Sequence, residues 1–180
     1  IQEKSLMEHV TIVSHNSYLF KGTVRENLQM GKPDATEQEM LTALEKVNLL
    51  DFMETQNGLD TLVLEKGSNF SGGQCQRLAL ARALLHDTPV YIFDEATSNI
   101  DVESEELLMD VIEKLAKTKT IILISHRLAN VVGADRIYML KDGCVIQSGT
   151  HEELMQSKGE YSALYQYQRE LEQYGKEERA

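Results

Sequence analysis

The sequence predicts an α/β fold: an incomplete parallel sheet with flanking helices, an inserted α-helical subdomain, and a β-hairpin plus helices at the carboxyl end. Three observations carry this. Two short apolar runs, Val90-Tyr91-Ile92-Phe93 and Thr120-Ile121-Ile122-Leu123-Ile124-Ser125, read as strands buried on both faces, and they bracket a helix from about Glu103 to Lys117. Leu107, Leu108, Val111, Ile112 and Leu115 share the inner face of that helix, so the stretch is a parallel β-α-β unit. From Thr23 to about His86 the signals are helical instead. Finally, Asp142-Gly143 separates Arg136–Leu140 from Cys144–Gln147, the turn chemistry of a tight hairpin.

The elements follow in order. His9-Val10-Thr11-Ile12-Val13-Ser14 alternates as a strand and leads into the loop His15–Lys21. Thr36 and Glu39 form a capping box ahead of the stripe Met40, Ala43, Leu44 and Val47, and Asp51-Phe52-Met53 starts another turn. Gly58 to Phe70 is a polar loop. It ends at Ser71-Gly72-Gly73-Gln74, which opens a helix of strong helix formers reaching Leu85, and Pro89 stops it. Helices from about His151 and Tyr161 close the chain, with a frayed end from Gly175 to Ala180.

Composition bounds the function. The chain has 180 residues, 42% of them hydrophobic, enough for one domain or part of one. A net charge of -11 argues against a surface built for nucleic acid or anionic lipid, so any phosphate site must be local. Cys75 and Cys144 have neither a close partner nor metal-ligand spacing, which suits a reducing compartment. No apolar run reaches the roughly 18 residues of a membrane span, and no signal peptide is visible at Ile1, so the chain is expected to be soluble as given.

The chemistry gathers at the strand ends. In an open parallel sheet, ligands bind beyond the carboxyl ends of the strands, and these two end in Asp94-Glu95 and, just past Ser125, in His126. Adjacent acids on an apolar strand suit magnesium-dependent phosphoryl transfer, one carboxylate holding the cation and its neighbour orienting or deprotonating water. The plainer readings are a helix or turn cap for Asp94 and a hydrogen-bonded loop histidine for His126. Ser71 and Gln74 fit a capping box, yet Gly72 and Gly73 each cost about 0.8–1.0 kcal/mol relative to alanine in a helix. A bare first turn does offer its N–H groups and dipole to a phosphate. His151-Glu152-Glu153-Leu154-Met155 starts like a zinc-protease helix, but Met155 stands where the second histidine is required. The seven methionines sit in apolar patterns and read as core.

Taken together, Phe70-Ser71-Gly72-Gly73-Gln74, Tyr91-Ile92-Phe93-Asp94-Glu95-Ala96-Thr97-Ser98-Asn99-Ile100-Asp101 and Ser125-His126-Arg127 resemble the signature motif, Walker B, D-loop and switch histidine of ATP-binding cassette (ABC) ATPases. Ser17-Tyr18-Leu19-Phe20, Gly22-Thr23-Val24-Arg25-Glu26-Asn27, Thr61-Leu62-Val63-Leu64-Glu65-Lys66-Gly67 and the tail from Gly149 to Leu164 resemble the exporter branch. The resemblance implies a P-loop NTPase (RecA-like) sheet. Residues 1–180 would be part of one nucleotide-binding domain, with 23–88 its helical subdomain and 1–22 and 89–180 parts of the α/β core. Asp94 would assist magnesium, Glu95 would be the general base and His126 would contact the terminal phosphate. Asp101 would communicate between two sites. Ser71, Gly72, Gly73 and Gln74 would clasp ATP held by an opposing nucleotide-binding domain, in a homodimer or heterodimer. The 15–20 and 61–67 loops would meet the transmembrane domain at the cytoplasmic side of the cell membrane, and no nucleic acid would be bound.

Two departures stand out. Nowhere does the sequence contain G-x-x-x-x-G-K-[ST], the loop whose lysine serves the terminal phosphates. The resemblance implies that this Walker A loop and an adenine-stacking aromatic lie upstream of Ile1, that the piece alone does not hydrolyse ATP, and that its unpaired strand edges invite exchange of segments between chains. His15 stands where the family has the Q-loop glutamine; as an imidazole it suits softer metals than magnesium, which reads as a mark of a heterodimer with one weakened site. Two other roles remain open: a non-transport ATPase of the same superfamily, acting in chromosome maintenance or translation, and a non-catalytic partner that only donates its signature motif.

Overall fold

A computed structural model of the chain describes residues 2–16, 18–98 and 100–177, and leaves Ser17 and Asn99 of the quoted motifs outside. The chain divides into two compact units, Ile1–Ile124 and Ser125–Ala180.

In the first unit the helix α1 (Glu3–His9) runs straight into the strand β1 (Val10–Ser14). Beyond β1, a two-residue strand β2 (Gly22–Thr23) precedes helices α2 (Val24–Gln29), α3 (Glu37–Lys46) and α4 (Leu50–Glu54), and β3 (Leu62–Val63) returns antiparallel to β2. The long helix α5 (Gly72–His86), strand β4 (Val90–Asp94), helix α6 (Val102–Ala116) and strand β5 (Thr120–Ile124) complete it. The sheet order is β1-β4-β5, all parallel, with Val13, Phe93 and Leu123 in register.

The local chemistry explains these boundaries. Thr23 with Glu26, Thr36 with Glu39 and Ser71 with Gln74 each close a reciprocal capping box at the start of α2, α3 and α5. Helix α5 ends where Asp87 turns left-handed, at φ 51°, two residues before Pro89. One apolar core joins the helices to one face of the sheet: Leu28, Met40, Leu44, Leu78, Leu80 and Leu108 pack in it with Tyr91 and Phe93, whose rings stack at 6.1 Å. The Tyr91 hydroxyl donates to the Ala83 carbonyl at 3.3 Å, and burial pushes it up to about 12.

The opposite face of the sheet corrects the sequence reading. Neither apolar run is buried on both sides: Ile92 is half-buried, while Ile122 and Ile124 are 49% and 47% exposed, as is Ile12 at 65% in β1. Alternate residues of a strand face opposite ways, and among the described residues the face carrying Tyr91 and Phe93 is the better covered, with Ile121 and Leu123 half-buried on it.

The second unit, taken by itself, is a hairpin with two helices. Strands β6 (Ile137–Lys141) and β7 (Cys144–Gly149) meet at Asp142-Gly143, whose φ values of 50° and 77° are those of the predicted turn. Helix α7 (His151–Gln156) starts on a Thr150–Glu153 capping box, and α8 (Glu160–Glu177) follows. The tail expected to fray from Gly175 stays helical to Glu177, and its last three residues lie outside those described.

Candidate functional site

The register of the sheet fixes what its carboxyl edge carries. Asp94, the last residue of β4, stands opposite Ser14 on one side and Ile124 on the other. The His15 N–H donates to the Asp94 carbonyl at 3.1 Å, extending the β1–β4 ladder by one bond. On the other flank the Glu95 N–H donates to the Ile124 carbonyl at 3.0 Å. Glu95 takes this position in the left-handed region, at φ 51°, a conformation costing a non-glycine residue about 1–2 kcal/mol. The strain turns the chain sharply at the strand end. His15, Asp94 and Glu95 are thereby brought to one edge. The exposed His15 side chain meets the Asn16 amide at 2.7 Å. His126 follows β5 by two residues, in the second unit, and is exposed.

The start of α5 has a geometry of its own. Ser71 Oγ accepts from the Gln74 N–H at 3.2 Å, and Gln74 Oε1 accepts from the Ser71 N–H at 2.9 Å. Within the helix the first N–H to reach a carbonyl four residues back is that of Cys75, to Ser71 at 2.9 Å, so the N–H groups of Gly72 and Gly73 have no acceptor in the helix. Gly72 is exposed, whereas Gly73 is buried. A β-carbon on Gly73 would overlap the Ser104 hydroxyl and stand 3.2 Å from Asp101 Oδ2. The second glycine therefore lets the starts of α5 and α6 touch. Asp101 is the cap of α6: Oδ1 accepts from the Ser104 N–H and Oδ2 from its hydroxyl, both at 2.8 Å. These two bonds to Ser104, with Arg77 contributing, hold its carboxyl below the usual carboxylate range.

Two polar side chains that no periodicity announces tie these parts together. Buried Gln76 of α5 donates to the Ser14 carbonyl at 3.0 Å, fixing the signature-like helix to the strand end before His15. Buried Asn27 accepts from the Phe20 N–H at 2.9 Å and donates to the carbonyls of Phe20 and Thr23 at 2.8 and 2.9 Å. The β2–β3 ribbon pairs Gly22 and Thr23, just past the 15–20 loop, with Val63 and Leu62 of the 61–67 loop, and Tyr18, Phe20, Leu62 and Leu64 are exposed.

No group of three or more His, Cys, Asp or Glu able to hold a metal exists among the described residues. A lone exposed carboxylate such as Asp94 fits magnesium, which takes one or two protein carboxylates and completes its shell with water and substrate phosphates. Both cysteines are free thiols. No helix among the described residues is long and apolar enough to cross a membrane.

Comparison with known proteins places this geometry. An ABC transporter family model matches residues 1–98. An ABC transporter ATP-binding protein of Haemophilus influenzae is 54% identical over 173 residues, which cover 96% of this chain and 31% of that protein. A Staphylococcus aureus ATP-binding/permease protein named for multidrug export is 40% identical over 91% of this chain and 28% of its own length. Among solved structures, that of a bacterial Atm1-family ABC exporter with ATP bound superposes with a TM-score of 0.87 at 32% identity, over 93% of this chain and 30% of that one. The chain thus spans about a third of the length of the curated relatives it matches. The family match, the relatives and the superposition agree with the arrangement of β1, β4, β5 and α5: the chain belongs to the ABC transporter family, as part of its ATP-binding domain.

Proposed function

We propose that this chain is the carboxyl-terminal portion of the ATP-driven motor of an exporter, coupling ATP hydrolysis to movement of a substrate across a membrane from its cytoplasmic side. The observation that carries the reading is the carboxyl edge of the sheet, where the β1–β4–β5 register sets Asp94 and Glu95 beside His15. Asp94 supplies a hard oxygen for magnesium and Glu95 removes a proton from the attacking water, while His126 donates to the terminal phosphate of ATP. Magnesium, when bound, offsets charge on the phosphates. His15 occupies the Q-loop position next to them.

The start of α5 then serves a second nucleotide-binding domain. Gly72 and Gly73 present N–H groups at the positive end of a helix dipole, with Ser71 and Gln74 locked beside them, which suits clasping ATP held by the opposing domain. Asp101, in contact with Gly73, carries the state of that clasp into α6. The exposed apolar residues Tyr18, Phe20, Leu62 and Leu64 favour docking of a transmembrane domain on the 15–20 and 61–67 loops. Export-named relatives favour this over a chromosome-maintenance or translation ATPase.

Glu95→Gln in the full-length transporter tests the reading. Hydrolysis should fall at least 100-fold, the scale of general-base catalysis, while ATP binding persists. The 180-residue chain alone, which has no G-x-x-x-x-G-K-[ST] loop, should show no turnover in a phosphate-release assay. Glu95-dependent hydrolysis by the chain alone, or unchanged hydrolysis in the full-length variant, overturns it.

A further inference from the structure

We propose that Gln168 is a positioning residue for His126: its side-chain amide, projecting from α8, bridges the His126 carbonyl and the Leu128 N–H and so fixes the loop that presents the histidine. Gln168 Nε2 donates to the His126 carbonyl at 2.8 Å, and Gln168 Oε1 accepts from the Leu128 N–H at 2.9 Å. A carboxamide carries a donor and an acceptor on one rigid plane, so it can do for this loop what a neighbouring strand does for a strand. Ser125 holds the residue between: its Oγ accepts from the Arg127 N–H at 3.0 Å and donates to the Arg127 carbonyl at 3.1 Å. Four successive backbone groups beyond the end of β5 are thus tied by side chains. One turn further along α8, Glu172 meets Arg127 at 3.4 Å.

The helix that reaches in is itself anchored at its start. The Tyr161 N–H donates to Gln147 Oε1 at 2.9 Å, the fully buried Tyr161 meets His151 Nδ1 through its hydroxyl at 2.9 Å, and Glu160 pairs with Lys141 at 2.6 Å. Gln168 lies two turns beyond Tyr161, on a helix whose register is set by those bonds. A side chain aimed at a phosphate must be held to a fraction of an ångström, and a loop histidine has no ladder to hold it. The carboxyl-terminal helix is the part of the fold that supplies this constraint.

The inference rests on the reading of His126 as a terminal-phosphate contact, and the test separates the two. In the full-length transporter arrested by Glu95→Gln, dissociation constants for radiolabelled ATP and ADP give the preference for the terminal phosphate. His126→Ala should lower that preference about tenfold. Gln168→Met, which removes both bonds, and Gln168→Glu, which keeps an acceptor for Leu128 and turns a carboxylate on the His126 carbonyl, should each lower it about three- to tenfold. Placed on top of His126→Ala, either change should have no further effect. A similar loss in both backgrounds makes Gln168 a general structural residue and overturns the proposal, as does an undiminished preference in both single Gln168 variants when His126→Ala does lower it. An undiminished preference in His126→Ala overturns the reading of His126 itself.

Discussion

At the residue scale, the two glycines that open α5 do different things although the sequence treats them alike. Gly73 is buried against Ser104 and Asp101, so a methyl group there must push α6 away. Gly73→Ala is expected to destabilise the fold by about 1–3 kcal/mol, the cost of overpacking a fitted contact, read as a lowered urea midpoint at unchanged slope. Gly72 is exposed and its φ is not left-handed. Gly72→Ala should therefore leave the midpoint unchanged or raise it by up to about 1 kcal/mol in stability, through helix propensity and a less flexible unfolded chain. The same variant should weaken ATP-dependent pairing of nucleotide-binding domains in the full-length transporter, because its β-carbon stands where a phosphate is proposed to approach. Equal destabilisation by the two alanines would mean that the distinction between a packing glycine and an access glycine is wrong. Asn27 offers a third case. The side chain is buried and its three bonds to Phe20 and Thr23 are half-buried, so Asn27→Ala removes three bonds whose backbone partners water can partly reach and should cost about 1–2 kcal/mol in the same titration.

At the scale of elements, capping decides where helices begin, and one cap carries a pH dependence. Glu39 closes the box at the start of α3 and also pairs with Lys32, and these contacts, the Lys32 bond foremost, hold its carboxyl down at about 2. A carboxyl depressed in the folded state stabilises it fully above its ordinary value near 4.5, and that stabilisation is lost as the pH falls toward 2. Glu39→Gln keeps a box-competent residue but removes the ionisation. Its unfolding midpoint should accordingly vary less with pH between 4.5 and 2 than that of the unmodified chain; parallel curves would show that the Lys32–Glu39 contact does not matter to folding.

The same elements show what a sequence exposes. The Thr36–Glu39 and Ser71–Gln74 boxes and the Asp142-Gly143 turn were legible because each is a short chemical pattern with a local purpose. Helix α1 was not, because it buries no residue and has no side-chain cap, so neither stripe nor start signal marks it. Nor were the two-residue strands β2 and β3, too short for any period to register. The site divides along the same line. Asp94, Glu95, Ser71 and Gly72 stand in contiguous motifs. Gln76 reaches across 62 residues to Ser14, and Gln168 across 42 to His126; such single side-chain-to-backbone bonds leave no trace in periodicity.

At the scale of the whole molecule, the sheet governs behaviour in solution. Strands β1 and β5 each pair on one side only among the described residues, and Ile12, Ile122 and Ile124 rise from one face largely uncovered. A parallel sheet is ordinarily clothed on both faces, since its backbone and its β-branched side chains gain little from water. An open edge beside an apolar face is also a template for another chain. The 180-residue chain alone is therefore expected to associate with increasing concentration and to bind a hydrophobic dye such as ANS. Ile12→Thr with Ile122→Thr should reduce both, because threonine keeps the β-branch and strand preference while removing apolar surface. The pair should cost the fold little, on the order of 0.5 kcal/mol per site or less, as Ile12 and Ile122 are already 65% and 49% exposed. Sedimentation velocity over a hundredfold concentration range decides it: a monomer throughout, with no dye binding, would show that this face is not the source of association, whereas association that survives the two threonines would move the responsibility to the free strand edges.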